Sequence, residues 1–156
     1  MKLEGAPMKL VNAERDFHQG VVLTEWSTRA ECGHLYWAFT EGLGDWLGEP
    51  SSMSVTVEPG VAFCIVARRE WGGGAHYGRF VELHQDRRVA MKWIGESLGG
   101  VESDVIVELV PTGRGTDVTV VHTGITEPDA RATVAALWQG ARHALDTIIF
   151  SSRPRR

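Results

Sequence analysis

The sequence predicts an α+β domain in which a curved antiparallel sheet packs against one long helix at the carboxyl end. Two observations support this fold class. From residue 52 onward, apolar and polar side chains alternate over short runs that turn-forming residues separate, as in antiparallel strands. After residue 126, apolar side chains recur at every third or fourth position, as on one face of a helix. The predicted order is one strand, two short helices, six strands and the long helix.

The elements before and within the alternating region follow from local composition. A first strand is predicted over 20–27, where β-branched and aromatic residues are frequent. Ser27 or Thr28 can cap a helix over 29–39, and a second short helix over 41–47 ends before Gly48 and Pro50. The six later strands are predicted over 53–58, 61–69, 76–83, 87–95, 103–110 and 117–123. Turn residues between them favour a meander. Together with the first strand, the six strands of the meander should form a sheet of seven strands.

The long helix should begin near Thr126 and contain about 24 residues, or roughly 36 Å of helix. Thr126 is followed by Pro128 and Asp129, which are typical of a first helical turn. The apolar stripe of this helix consists of Val134, Leu137, Trp138, Ala141, Leu145 and Ile148. Only the sheet can bury that stripe, so the helix should lie across one sheet face.

Length and charge narrow the classes of partner. The 156 residues fit one domain, predicted over 18–152, with an N-terminal tail over 1–17 and a basic C-terminal tail over 153–156. The net charge of −4 provides no positive field for nucleic acid. We expect a cytoplasmic monomer or homodimer without membrane contact, because no signal peptide or spanning apolar run is present. Met8 is an alternative start to Met1.

Four short motifs resemble one protein family. They are YWAFT at 36–40, LGDWL at 43–47, GRFVE at 78–82 followed by a strand ending in Trp93, and GTDVTVVHTG at 115–124. This set is similar to the START-like (SRPBCC) superfamily, in the branch related to the C-terminal domain of the activator of Hsp90 ATPase. The resemblance covers 18–150 and implies the helix-grip fold. The resemblance is compatible with several functions, because the superfamily contains ligand binders, cyclases and chaperone regulators.

His122 is the candidate residue with the most specific context. Strand alternation places it on the helix-covered face, together with Trp93. A buried histidine needs hydrogen-bond partners. Three interpretations remain open: a neutral histidine bonded to a backbone group near the start of the last helix, a residue that orients a ligand, or a general acid or base. Glu82 is a weak second candidate for catalysis.

The first functional hypothesis is a non-enzymatic protein that binds a small hydrophobic or aromatic molecule in an apolar cavity between the last helix and the sheet. The residues predicted to line this cavity are Phe63, Met91, Trp93, Val105, Val107, Val118, Val120, His122 and Trp138. Trp71, His76 and Tyr77, near the glycines at 72–74, are predicted at the cavity rim. The second hypothesis, which the resemblance implies, is chaperone binding. The third is a cyclase or hydrolase using His122 and Glu82.

No cofactor or metal site is predicted. Cys32 and Cys64 lack the CxxC spacing of redox or zinc sites, and we expect free thiols. The histidines fall on different predicted elements without HxH or HExxH spacing, and no GxSxG motif occurs.

Overall fold

The computed structural model describes residues 20–49, 56–69, 73–95 and 99–151. Its strands are β1 (Val21–Thr28), β2 (Ala62–Val66), β3 (Ala75–His84), β4 (Arg88–Gly95), β5 (Ser103–Thr112) and β6 (Gly115–Thr123). Its helices are α1 (Cys32–Phe39) and α2 (Leu43–Leu47), which follow β1, and the C-terminal α3 (Pro128–Ser151). The predicted tails over 1–17 and 153–156 lie outside these ranges.

The six strands form one curved antiparallel sheet in the order β1-β6-β5-β4-β3-β2. Strands β2 to β6 form the predicted meander, and β1 pairs with β6 from Val21 opposite Thr123 to Thr28 opposite Thr116. The 24 residues of α3 carry the predicted apolar stripe, of which Val134, Trp138 and Leu145 are buried. The chain therefore has the helix-grip fold.

The sheet differs from the prediction by one strand. The strand predicted over 53–58 lies partly outside the described residues, and its described part, 56–58, is not in a strand. There the backbone bonds locally, because the Glu58 amide donates to the Thr56 carbonyl at 3.0 Å and the Val61 amide donates to the Glu58 carbonyl at 3.1 Å. A turn thus replaces the end of the predicted strand, although its sequence alternates as a strand would.

The start of α1 also differs from the prediction. The helix begins at Cys32, and Glu31 in the N-cap position makes no side-chain capping bond. The Thr28 hydroxyl, one of the two predicted caps, instead accepts the Ala30 amide at 3.2 Å and donates to the Asp146 carboxylate of α3 at 3.0 Å. Thr28 thus joins the end of β1 to the last helix.

The β5–β6 hairpin contacts the end of β1 closely at Gly115. This residue has φ of 148°, in the region that favours glycine. A Cβ atom at this position would overlap the carbonyl oxygen of Thr28 and approach the Cα of Arg29 to 2.7 Å. Next to it, the buried Thr116 hydroxyl donates to the Ala30 carbonyl at 2.8 Å. The connection after β1 and the start of β6 are therefore held together.

Candidate functional site

Five buried polar or aromatic residues meet at one end of the sheet beneath α3. They are His76, Trp93, Ser103, His122 and Trp138, and we call them the Trp–His cluster. The strand register brings them together, since Trp93 is opposite Ser103 and His122 is opposite Val105. Gly95 lies opposite His76, where a Cβ would overlap the imidazole ring. The absence of a side chain at Gly95 therefore makes room for His76.

The hydrogen bonds of His122 determine its tautomer. The Trp138 Nε1–H donates to His122 Nδ1 at 3.2 Å, so Nδ1 carries no proton. In the neutral ring the proton is then on Nε2, which lies 2.8 Å from the Ser103 hydroxyl oxygen. That hydroxyl donates in turn to the Trp93 carbonyl at 3.1 Å. The bonds run in one direction, from indole to imidazole to hydroxyl to carbonyl.

A second indole–imidazole pair lies beside the first. The Trp93 Nε1–H donates to His76 Nδ1 at 3.0 Å. The ring centroids of Trp93 lie 6.4 Å from those of Trp138 and 6.5 Å from those of His122. Phe63 packs edge-on against Trp93 at 6.0 Å, and Trp46 lies 6.4 Å from Trp138. The cluster is therefore the polar part of a continuous aromatic interior.

His122 is neutral near pH 7. Burial and, to a smaller extent, the nearby His76 lower the pKa of His122 to about 3, while Asp104 opposes the shift. A proton on Nδ1 would also face the Trp138 N–H, so that two donors would meet. Because a general acid or base works best with a pKa near the operating pH, this environment does not favour the catalytic interpretation.

Glu82 is not placed to assist His122. It lies on β3, and strands β4 and β5 separate it from β6. Its carboxylate bonds to His84 at 2.7 Å and to Arg88 at 3.5 Å on the exposed surface. The hydrogen bond from His84 and the charge of Arg88 hold the pKa of Glu82 below its usual value. The structure therefore does not bring the two weak catalytic candidates together.

The residues predicted to line a cavity all lie in the covered interior. Each of the nine is at most 3% exposed: Phe63, Met91, Trp93, Val105, Val107, Val118, Val120, His122 and Trp138. In the described part of the chain these side chains contact one another and leave almost no surface open to water. The strand alternation therefore predicted the covered face, while the structure adds that side chains fill it.

The residues predicted at the rim separate in the structure. His76 is 1% exposed and belongs to the cluster, so its burial does not fit a position at an open rim. Tyr77 is 48% exposed and points to the opposite face, because neighbours along a strand alternate. Trp71 lies outside the described residues. Sequence reasoning missed Ser103, although its alternation with Val105 and Val107 on β5 places it on the face of His122.

Trp138→Phe should lower the free energy of unfolding by about 2 kcal/mol, because it leaves the buried Nδ1 of His122 without its donor. In a His122→Leu background the same change should cost about 1 kcal/mol less, which urea denaturation of both single variants and the double variant would measure. Trp46→Phe is the matched control, since its indole donates to the Ala38 carbonyl. If Trp46 and Trp138 showed the same coupling energy with His122, the hydrogen bond assigned between Trp138 and His122 would be contradicted.

The described residues contain no group of three or more His, Cys, Asp or Glu side chains that could hold a metal ion. Cys32 and Cys64 are free thiols, and the Cys32 sulfur lies 3.4 Å from the Thr116 hydroxyl. None of the described helices is long and apolar enough to cross a membrane.

The strand order, the long helix across one face and the buried aromatic interior define a helix-grip domain of the START-like class. A family model described as "Activator of Hsp90 ATPase homolog 1-like protein" matches residues 29–149. The chain belongs to this family. A comparison with curated proteins finds no match.

Solved structures share this fold. Protein MLL2253 from Mesorhizobium loti has a TM-score of 0.72 and 17% identity, over 86% of this chain and 99% of that one. CV1439 from Chromobacterium violaceum has a TM-score of 0.68 and 22% identity, over 84% and 97% of the two chains. DynU16, from the dynemicin biosynthetic locus, has a TM-score of 0.70 and 20% identity, over 86% of this chain and 49% of its own. At these identities the likeness establishes the fold.

Proposed function

We propose that the protein is a non-enzymatic binding module for a small hydrophobic or aromatic molecule, which binds between α3 and the sheet at the Trp–His cluster. The observation that carries this proposal is the polar network inside an aromatic interior. A core that only packs needs no imidazole or indole nitrogen, and burying such groups costs free energy that their hydrogen bonds only offset. Binding sites for small molecules combine apolar walls with a few convergent polar groups in this way.

The position of the cluster supports the proposal. His76 is the second residue of β3, Ser103 is the first of β5, and His122 is the penultimate residue of β6. All three therefore lie at the end of the sheet from which the β2–β3, β4–β5 and β6–α3 connections leave. A ligand entering at this end would reach the cluster before the aliphatic part of the interior.

The hydrogen-bonding groups favour a neutral ligand with a hydroxyl group. In the cluster, His122 is uncharged near pH 7, so it offers no balancing charge to an anion. The bond between Trp138 and His122 has one donor and one acceptor. A ligand hydroxyl could insert into this bond by accepting from the indole and donating to Nδ1. Because side chains fill the interior, binding would require α3 to move away from the sheet, and its affinity would include that cost.

Calorimetric titration with 2-naphthol, a neutral aromatic hydroxyl compound, tests the proposal. We expect 2-naphthol to bind to the wild type. In His122→Leu its affinity should fall at least tenfold, which is about the loss expected when one hydrogen bond is removed. His143→Gln is the control, since His143 is exposed on α3. Unchanged affinity in His122→Leu, with equal or higher stability, would remove His122 from the binding role. Native mass spectrometry of the purified protein adds a search for co-purified ligand.

A second candidate function is regulation of a chaperone, and the family match over residues 29–149 is the observation that favours it. The expected result is that the protein changes the ATP turnover of Hsp90 and is retained on immobilised Hsp90. The absence of both effects at micromolar concentrations would exclude this function. Neither measurement depends on naphthol binding, so the two candidates are tested independently.

A further inference from the structure

A groove of about 720 Å³ lies at the end of the molecule opposite the Trp–His cluster. Its walls come from the end of β1, the β5–β6 hairpin and the last turns of α3. The lining residues are Ser27, Thr28, Arg29, Thr112, Gly113, Arg114, Asp117, Asp146 and Phe150. The volume lies within the range of small-molecule sites, and the Phe150 side chain contributes an apolar surface to the groove. Nothing in the proposed function uses this groove.

The walls of the groove are held in place by hydrogen bonds between β1, α3 and the start of β6. Arg29 lies between Thr28, which bonds to Asp146 of α3, and Ala30, whose carbonyl accepts the Thr116 hydroxyl. Arg114 lies in the hairpin beside Gly115, which packs on the Thr28 carbonyl. The two arginines are therefore presented by segments whose relative position is set before any ligand arrives. Such preorganisation lowers the entropic cost of binding.

The charged side chains that line the groove differ in their hydrogen bonding. The Asp117 carboxylate accepts the Ser27 hydroxyl at 2.6 Å, and the Asp146 carboxylate accepts the Thr28 hydroxyl. Within the described residues, the guanidinium groups of Arg29 and Arg114 make no hydrogen bond or ion pair. The carboxylates thus already have donors, whereas the two guanidinium groups, both exposed, have no acceptor in the described part of the chain.

We propose that this groove is a second binding site, for a small carboxylate whose apolar ring packs on Phe150 while its carboxyl group bonds to Arg29 and Arg114. Guanidinium groups bind carboxylates through paired hydrogen bonds. A singly charged carboxylate fits better than a doubly charged phosphate, because Asp117 and Asp146 line the same groove and would repel the second charge. Phe150 is 48% exposed and offers its ring to the apolar part of the ligand.

Titration of the ¹⁵N-labelled protein with 2-naphthoate, followed by NMR, tests the site. We expect shifts at Arg29, Arg114 and Phe150, and weaker binding at high salt. Uncharged 2-naphthamide should bind at least tenfold more weakly, since it cannot pair with the guanidinium groups. Arg29→Gln and Arg114→Gln should each reduce the affinity for 2-naphthoate about tenfold, and Phe150→Ala should also reduce it.

Arg87→Gln is the matched control, because Arg87 is exposed in the β3–β4 turn and lines no part of the groove. Its affinity for 2-naphthoate should equal that of the wild type. The proposal is overturned if 2-naphthamide binds as tightly as 2-naphthoate, or if Arg29→Gln and Arg114→Gln bind normally. Shifts confined to His122 and Trp138 would also overturn it, because they would place the carboxylate in the Trp–His cluster.

Discussion

The free energy of unfolding should fall as the pH is lowered from 6.5 to 4, and His122 should account for about 3 kcal/mol of that loss. In the folded protein, burial lowers the pKa of His122 to about 3. In the unfolded chain, its pKa returns to about 6.5. Between these values the unfolded state binds a proton that the folded state does not. His122 therefore does not affect the free energy of unfolding well above pH 6.5. Below that pH, its protonation in the unfolded chain lowers the free energy of unfolding by about 1.4 kcal/mol for each pH unit.

Urea denaturation at several pH values would measure this effect. His122→Gln should reduce the slope of the free energy of unfolding against pH by the equivalent of about one proton between pH 6 and 4, because an amide does not titrate. His143→Gln, at the exposed position on α3, should keep the slope of the wild type. Since His122→Gln could be too unstable at low pH, NMR of the wild-type imidazole gives a second measurement. A His122 ring that titrates between pH 8 and 5 would contradict the assigned neutral state.

Gly115→Ala should cost about 3 kcal/mol or more, because a side chain there combines an unfavourable φ with steric overlap. The new Cβ would overlap the Thr28 carbonyl oxygen and lie 2.8 Å from the Arg29 carbonyl carbon. Both are backbone atoms, so no side-chain rotation can relieve the overlap. The end of β1 would have to separate from β6. Thermal and urea denaturation would report either a large loss of stability or the loss of the cooperative transition.

Gly113→Ala in the same hairpin provides the control for this prediction. An added Cβ at Gly113 has no heavy atom within 4 Å, so the stability should change by no more than about 0.5 kcal/mol. Similar effects of the two substitutions would show that the contact between Gly115 and β1 does not hold the hairpin. A Gly115→Ala variant within about 1 kcal/mol of the wild type would lead to the same conclusion.

Strand alternation predicted the inner face of β4 to β6 because these strands are regular. Trp93 and His122 are buried there, whereas Glu108, on the opposite face of β5, pairs with Arg88. On β3 a regular alternation does not extend from Phe80 to Glu82. A register shift between Phe80 and Glu82 explains this, because one additional residue reverses the alternation beyond it.

The partners of His122 could not be predicted from the sequence. The expected partner was a backbone group near the start of the last helix or a ligand, whereas the observed donor is the side chain of Trp138, 16 residues away. A helical stripe shows which side chains face the sheet. It does not show which of them crosses a given strand, because the crossing depends on the tilt and translation of the whole helix.

The hydrogen bond between Thr28 and Asp146 has a consequence for biosynthesis. It joins residues 118 positions apart, and among the described strands β1 neighbours β6 alone. At the usual rate of translation, roughly 6 to 24 s separate the synthesis of these two residues. Until β6 has been made, β1 cannot pair with it, and the apolar side chains of Val22 and Trp26, which are buried in the folded domain, lack their β6 neighbours. The nascent chain therefore exposes an unpaired strand with apolar side chains for most of that interval.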